Sequence, residues 1–203
     1  MSAQGSEGGG YLVPGRECGG CTACCVALAI AVEDLKKMPG VPCQHCRASA
    51  GCAIYAGRPQ VCRDYHCLWR SFDHLGEEWR PDRSGILMVW GEVPDGFPAQ
   101  HAVDLILVGP AAVLQSDEFA SMTAGFIANG TATFLSVPHG PGFLSPNAFL
   151  NPALTPAIAA RNLPQVKALI MAFYEQMRGR TPVPVPATAL VSAGTMQEAR
   201  PQG

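Results

Sequence analysis

Apolar residues change their spacing along this chain, and the change divides it in two. From about residue 76 onward the pattern is that of a packed domain. Ile86–Trp90 and Val103–Val108 are short runs rich in β-branched residues, bounded by Gly and Pro, and predict strands. Ser116 stands before Asp117 and Glu118, an N-cap with acids in the first turn. Phe119, Met122 and Phe126 then recur at helical spacing until Asn129-Gly130 supplies a stop. Thr131–Val137 predicts another strand, His139-Gly-Pro-Gly142 a turn, and Phe143–Leu150 a further strand. In the last helix Asn162 serves as cap, and Val166, Leu169, Ile170, Phe173 and Met177 form one stripe. Such stripes belong to a core rather than to cofactor contacts.

The first part reads differently. It offers an apolar run, Val26–Val32, and a short helical candidate, Glu33–Met38, among Gly and Pro punctuation. A loop-rich segment of this length cannot bury enough surface to fold by packing alone and needs a staple. The expected class is therefore α+β: a loop-rich segment followed by a small antiparallel sheet with two helices. The expected boundaries are a flexible N-terminus over 1–17, the staple-dependent segment over 18–75, the body over 76–180 and a flexible tail over 181–203. That tail is rich in Pro, Ala and Thr and lacks aromatics.

Composition sharpens the picture. Of the 203 residues 48% are hydrophobic and only 15% charged, which suits one folded domain with a small subdomain and not a disordered chain. The formal net charge is -2 and no run of Lys and Arg occurs, so nothing predicts a nucleic-acid partner. No apolar stretch is long enough to span a bilayer, so no membrane association is expected. Met1–Gly10 has neither a basic n-region nor an apolar h-region, so a cytoplasmic setting is expected. There thiols stay reduced, and clustered cysteines serve metal binding or redox chemistry rather than disulfides.

Nine cysteines supply the candidate chemistry, and all lie between Cys18 and Cys67. The first group is Cys18-Gly-Gly-Cys21-Thr-Ala-Cys24-Cys25. Two-residue gaps let the backbone curl around an ion or cluster with its NH groups aimed at the sulfurs. Cys18, Cys21 and Cys24 match the opening of a bacterial ferredoxin run, but the fourth position is Leu28. Leu28 likewise breaks the radical-SAM spacing that Cys21 and Cys25 begin. Further ligands come from Cys43, Cys46, Cys52, Cys62 and Cys67, and paired CxxC elements equally suit zinc. Spacing predicts a metal without choosing between zinc and an iron–sulfur cluster. The first-choice pool is Cys18, Cys21, Cys24 or Cys25, Cys52, Cys62 and Cys67, with Cys43 and Cys46 as partners for a second site.

The signatures CxxCxxCC at Cys18–Cys25, Gly51-Cys52-Ala-Ile-Tyr55, and Arg58-Pro59-Gln-Val-Cys62-Arg63-Asp-Tyr65-His-Cys67 carry a resemblance. The chain resembles the bacterial CxxCxxCC family of zinc- or iron-chelating domains (YkgJ-like) over Cys18–Trp69. Trp79-Arg-Pro-Asp-Arg-Ser84 looks like the longer members. Flagellin lysine methylases carry a similar cysteine pattern, and there it implies an iron–sulfur cluster; no methyl-donor site is legible in this chain.

Around the cysteines, Arg58-Pro59 is expected to make a turn, and Arg63 is a candidate for contacting a cluster sulfur. His45 and His66 are expected beside the ligands rather than among them, and Tyr55, Tyr65 and Trp69 over the metal loops. His139 reads as a loop residue. No Ser-His-Asp set, P-loop or GxGxxG run occurs. The function expected is a structural or redox metal centre. The alternatives are an oxidoreductase or metal-assisted transferase, and a metal-dependent interaction module or metallochaperone. No protein partner is specified.

Overall fold

The computed structural model describes residues 12–186. Its body is a four-stranded sheet covered on one face by three helices. In chain order the cysteine-rich part contributes α1 (Ala23–Ala27), the hairpin of β1 (Ile30–Val32) and β2 (Leu35–Lys37), the hairpin of β3 (Cys46–Arg47) and β4 (Gly51–Cys52), and α2 (Gln60–Asp64). The short helix α3 (Pro81–Ser84) leads into β5 (Ile86–Gly91), β6 (Ala102–Leu107), α4 (Asp117–Ala128), β7 (Ala132–Ser136), β8 (Asn147–Phe149), α5 (Asn151–Ala159) and α6 (Leu163–Arg178).

The α+β class holds. Strands run in the order β5-β6-β7-β8, antiparallel at both ends, with a parallel pair β6–β7 in the middle that α4 connects. A crossover helix is what a parallel pair requires. The Ser116 hydroxyl accepts from the Phe119 amide at 3.1 Å, and Asn162 Oδ1 accepts from the Gln165 amide at 3.1 Å, so both sequence-read caps are made. Lys167 Nζ reaches Asp117 at 2.6 Å and ties α6 to the start of α4.

The third helix, α5, was hidden by its two prolines. Pro152 sits in the first turn, where a missing NH costs nothing, but Pro156 lies inside the helix. The helix survives because Leu154 and Ala157 are buried. Asn151, itself buried, completes the edge of β7: its Oδ1 accepts from the Thr133 amide at 2.7 Å and its Nδ2 donates to the Thr131 carbonyl.

Two other expectations change. Glu33–Met38 is not helical, because Glu33-Asp34 is the turn between β1 and β2. Leu35 and Lys37 face inward and Lys36 outward, a strand alternation that a six-residue helical reading overlooks. Of the expected flexible ends, residues 1–11 and 187–203 lie outside the described residues. Val13 donates to the Arg70 carbonyl at 2.8 Å. Val185 is buried and donates to the Gly142 carbonyl at 2.9 Å, so 181–186 begins as a strap on the 142–144 loop.

The core also crosses the expected seam. Leu68, Trp69 and Leu75 pack in the same cluster as Ile86, Met88, Leu105 and Phe119. The cysteine-rich segment is thus anchored in the body at its C-terminal end.

On the sheet face opposite the helices, Asp104 Oδ2 accepts from the Ser136 hydroxyl at 2.7 Å, while its buried Oδ1 has no partner among the described residues. Burial pushes this carboxyl up, and the Ser136 hydrogen bond only partly opposes it. The native chain then holds that proton more tightly than the unfolded chain, so stability falls as pH rises through the carboxyl range. Asp104→Asn is expected to add about 1 kcal/mol at pH 7 and nothing near pH 3. Urea melts at the two pH values read the difference; equal gains at both would refute the assignment.

Candidate metal centre

All nine cysteines are free thiols, and the fold gathers them into two neighbourhoods. The first is built on a CxxC turn. Gly19 takes a left-handed conformation and the Cys21 amide closes onto the Cys18 carbonyl at 2.9 Å. Cys67 is brought alongside by a clasp. Val13 bonds the Arg70 carbonyl, Arg70 Nε donates to the Arg16 carbonyl at 3.1 Å, and Arg16 donates to the carbonyls of Trp69, Phe72 and Leu75. The Arg16 guanidinium also lies over the Trp69 ring, 5.2 Å from its centroid. Cys24, on α1, interacts electrostatically with Cys18 and Cys67, and Cys67 with Cys18 and Cys21.

Backbone NH groups lie near these sulfurs. The nearby amides of Ala23 and Asp82 lower the Cys21 thiol, and that of Arg70, which donates to the Cys67 carbonyl at 2.9 Å, lowers the Cys67 thiol. The Asp82 amide arrives from α3, whose entry is fixed by Arg80 donating to both Asp82 carboxylate oxygens at 2.7 and 2.9 Å. The Trp79–Ser84 stretch therefore belongs to the site although no cysteine lies within it. Burial nevertheless dominates, raising the Cys21 thiol and lifting Cys67 to about 11. Tyr65 closes this side: its hydroxyl oxygen is buried with no partner among the described residues, and the residue as a whole is half-buried. Burial drives its phenol well above the ordinary value, with the charges of Cys24, Cys67, Cys18 and Cys21 acting the same way.

The second neighbourhood starts from a second CxxC turn, in which the Cys46 amide bonds the Cys43 carbonyl at 2.8 Å. The Cys43 amide in turn bonds the Cys25 carbonyl at 2.9 Å, hanging this turn from α1. Cys46 and Cys52 are direct partners across β3 and β4, so both thiols project from one face. Cys62 on α2 interacts with Cys25, Cys43 and Cys52. Gly51 has φ +81°, and a Cβ there would run into the Gly19 carbonyl, so the hairpin and the first CxxC turn meet backbone to backbone.

Cys24 and Cys25 sit where the two neighbourhoods touch. A hydrogen bond between them pushes Cys24 up, while the same bond lowers Cys25 to about 6, helped by the charges of Lys37 and Arg58. Lys37 was not among the sequence-read site residues, though its place on the Leu35 face of β2 was the available signal. Its buried ammonium donates to the carbonyls of Val26, Leu28 and Met38, which are the loose end of α1 and the exit of β2. Burial lowers its pKa, partly offset by the charges of Cys43, Cys25 and Cys24. Lys37→Met keeps the stem but leaves those carbonyls unmet, and is expected to cost about 2–4 kcal/mol in a thermal melt. A change under about 0.5 kcal/mol would show that the ammonium organises nothing.

Arg63 is exposed and donates to Gln60 Oε1 at 3.0 and 2.6 Å. Arg58, 4.0 Å over the Tyr55 ring, is the guanidinium whose charge acts on Cys62 and Cys25. Pro59 begins α2 rather than only turning the chain. His45 Nε2 lies 3.3 Å from the Gln44 side-chain nitrogen, and His66 Nδ1 is 3.2 Å from the Arg70 guanidinium. His139 donates from Nε2 to the Met177 carbonyl at 2.8 Å and caps the end of α6.

Among the described residues, no three His, Cys, Asp or Glu side chains already stand as a closed ligand set for an ion. The thiols of each neighbourhood are neighbours that χ1 rotation would have to turn inward. The donor chemistry fits a soft or borderline metal, since sulfur is abundant and both histidines are engaged by neighbouring side chains. No helix among the described residues is long and apolar enough to cross a membrane. No protein-family model, curated protein or solved structure matches this chain.

Proposed function

We propose that this chain is a cysteine-ligated metal protein of the cytoplasm, similar to the CxxCxxCC chelating domains, with an iron–sulfur cluster ahead of zinc. The observation that carries this reading is the first neighbourhood. Two chain segments some fifty residues apart in sequence deliver thiols to one place, and amides of Ala23, Asp82 and Arg70 lie near the sulfurs. Amide-to-sulfur hydrogen bonds stabilise negative charge on thiolates and tune a cluster's potential. Disulfides do not call for such donors, and free thiols fit a reducing compartment.

A bound cluster would supply one-electron transfer, whereas zinc would supply a cross-link. The chain's own residues do the rest. Lys37, Arg58 and Arg70 offset thiolate charge. The Tyr65 hydroxyl and Trp69 close the inner side against water.

Protein purified without oxygen and assayed for iron, zinc and acid-labile sulfide tests the reading. A brown protein with iron and sulfide, bleached by dithionite, is expected. Colourless protein with stoichiometric zinc would replace the redox role with a structural one. Protein carrying neither metal, and taking up neither after reduction, would refute metal binding.

A further inference from the structure

We infer that a cleft at the uncovered end of the helix-covered sheet face binds a neutral, planar heteroaromatic molecule of two or three fused rings. Nothing in this site depends on a bound metal.

Strand alternation places its floor. Trp90 follows Ile86 and Met88 on the face of β5 that the helices cover, and it is paired with Val103 of β6. Ile86 and Met88 are sealed in the core, but at Trp90 the cover runs out and the residue is 45% exposed. Together with the second half of α4 and residues 72–74 it lines a cleft of about 490 Å³. Small-molecule sites commonly enclose roughly 300–1,000 Å³.

The rings around Trp90 set the shape of the occupant. Phe72 meets the indole in a T-shaped contact, 5.6 Å between centroids and 82° between planes, and the His101 ring is tilted by 51°. Neither lies parallel to the indole, so its exposed surface is left for a flat ring to stack on. Gly125 keeps that approach open. Glycine weakens a helix interior more than any residue except proline, yet nothing in the fold requires one here. Its φ is not in the left-handed region, and a Cβ built on it would meet no atom within 4 Å. A position of α4 that lines the cleft is thus left without a side chain at a cost to the helix.

Polarity narrows the class. Among the described residues lining the cleft there is no Lys, Arg, Asp or Glu, so a permanent charge on the ligand would enter without a counter-charge. The imidazoles of His74 and His101 and the exposed Asn129 carboxamide do line it. These groups give and accept hydrogen bonds at a ring edge, which selects a heteroaromatic over a plain hydrocarbon.

Lumiflavin and isoquinoline, one tricyclic and one bicyclic, are the probes, with the compact, non-planar adamantanol as control. Each is titrated into the full chain as purified and followed in the proton–nitrogen NMR spectrum. Saturable binding of at least one planar probe is expected, with the Trp90 indole NH signal shifting and that of Trp79 unmoved. Gly125→Leu, which fills the cleft where there is room for a side chain, is expected to abolish binding without lowering Tm. Trp90→Ala is expected to weaken binding about tenfold, the scale on which one stacking ring counts. Absence of saturable binding by both planar probes would overturn the site, as would a shift at Trp79 without one at Trp90, or binding that Gly125→Leu leaves intact. Adamantanol binding as tightly as the planar probes would overturn the ligand class. The wild-type spectrum decides the matter even where a variant fails to fold.

Discussion

Metal-free protein is expected to lose protease resistance across residues 18–67 while the sheet body stays folded. The reason is how little apolar packing the segment has. Between Cys18 and Cys67 the buried residues are Ala31, Leu35, Lys37, Cys43 and Gly51, of which one is charged and one has no side chain. Its strands are two or three residues long and its helices five. Elements that short do not persist without external support. Bound metal supplies about 10–16 kcal/mol in small structural sites, ample to hold such a segment. Without it, burial leaves several thiols competing for few counter-charges, among the described residues those of Lys37, Arg58, Arg70 and Arg80. Limited proteolysis with and without a chelator is the measurement. New cuts confined to 18–67 are expected, and an unchanged pattern would show that packing alone suffices.

Trp69→Ala is expected to damage both parts at once. The indole is buried in the common core, donates from Nε1 to the Gly76 carbonyl at 3.0 Å, and carries the Arg16 guanidinium on its face. Truncation of a buried Trp typically costs about 3–5 kcal/mol. For a chain of this size that corresponds to a fall of roughly 6–20 °C in Tm. Loosening the ring also frees Arg16, and with it the clasp that places Cys18 beside Cys67. Metal release to a chelator is therefore expected to quicken in step with the loss of stability. Trp69→Phe keeps most of the apolar contact, loses the hydrogen bond, and is expected to cost about 1–2 kcal/mol. A destabilised Trp69→Ala variant that kept the wild-type rate of metal release would uncouple the core from the site.

The body was legible because its signals are local and redundant. Short apolar runs with β-branched residues marked β5, β6 and β7, and a cap plus a stripe marked α4 and α6. Helix α5 escaped because proline carries a strong local penalty that the burial of Leu154 and Ala157 outweighs, and burial is a tertiary fact. The parallel β6–β7 pair escaped for a related reason, since pairing direction depends on where α4 packs. In the candidate site, spacing nominated the cysteines but did not say how they group. Grouping depends on contacts between distant segments: the Arg16 clasp, the Cys43 amide on Cys25, and the Gly51 approach to Gly19. Arg63 drew attention by sitting next to Cys62, yet neighbours on a helix point apart, and it is Arg58 across the turn that faces the thiols.

X-ray absorption at the edge of whichever metal co-purifies with the protein tests the central claim most directly, because it reads the atoms bonded to that metal. A first shell of sulfur at about 2.3 Å is predicted, with a short iron–iron distance in addition if the centre is a cluster. A shell of nitrogen and oxygen alone would contradict the account, since the cysteines would then be bystanders.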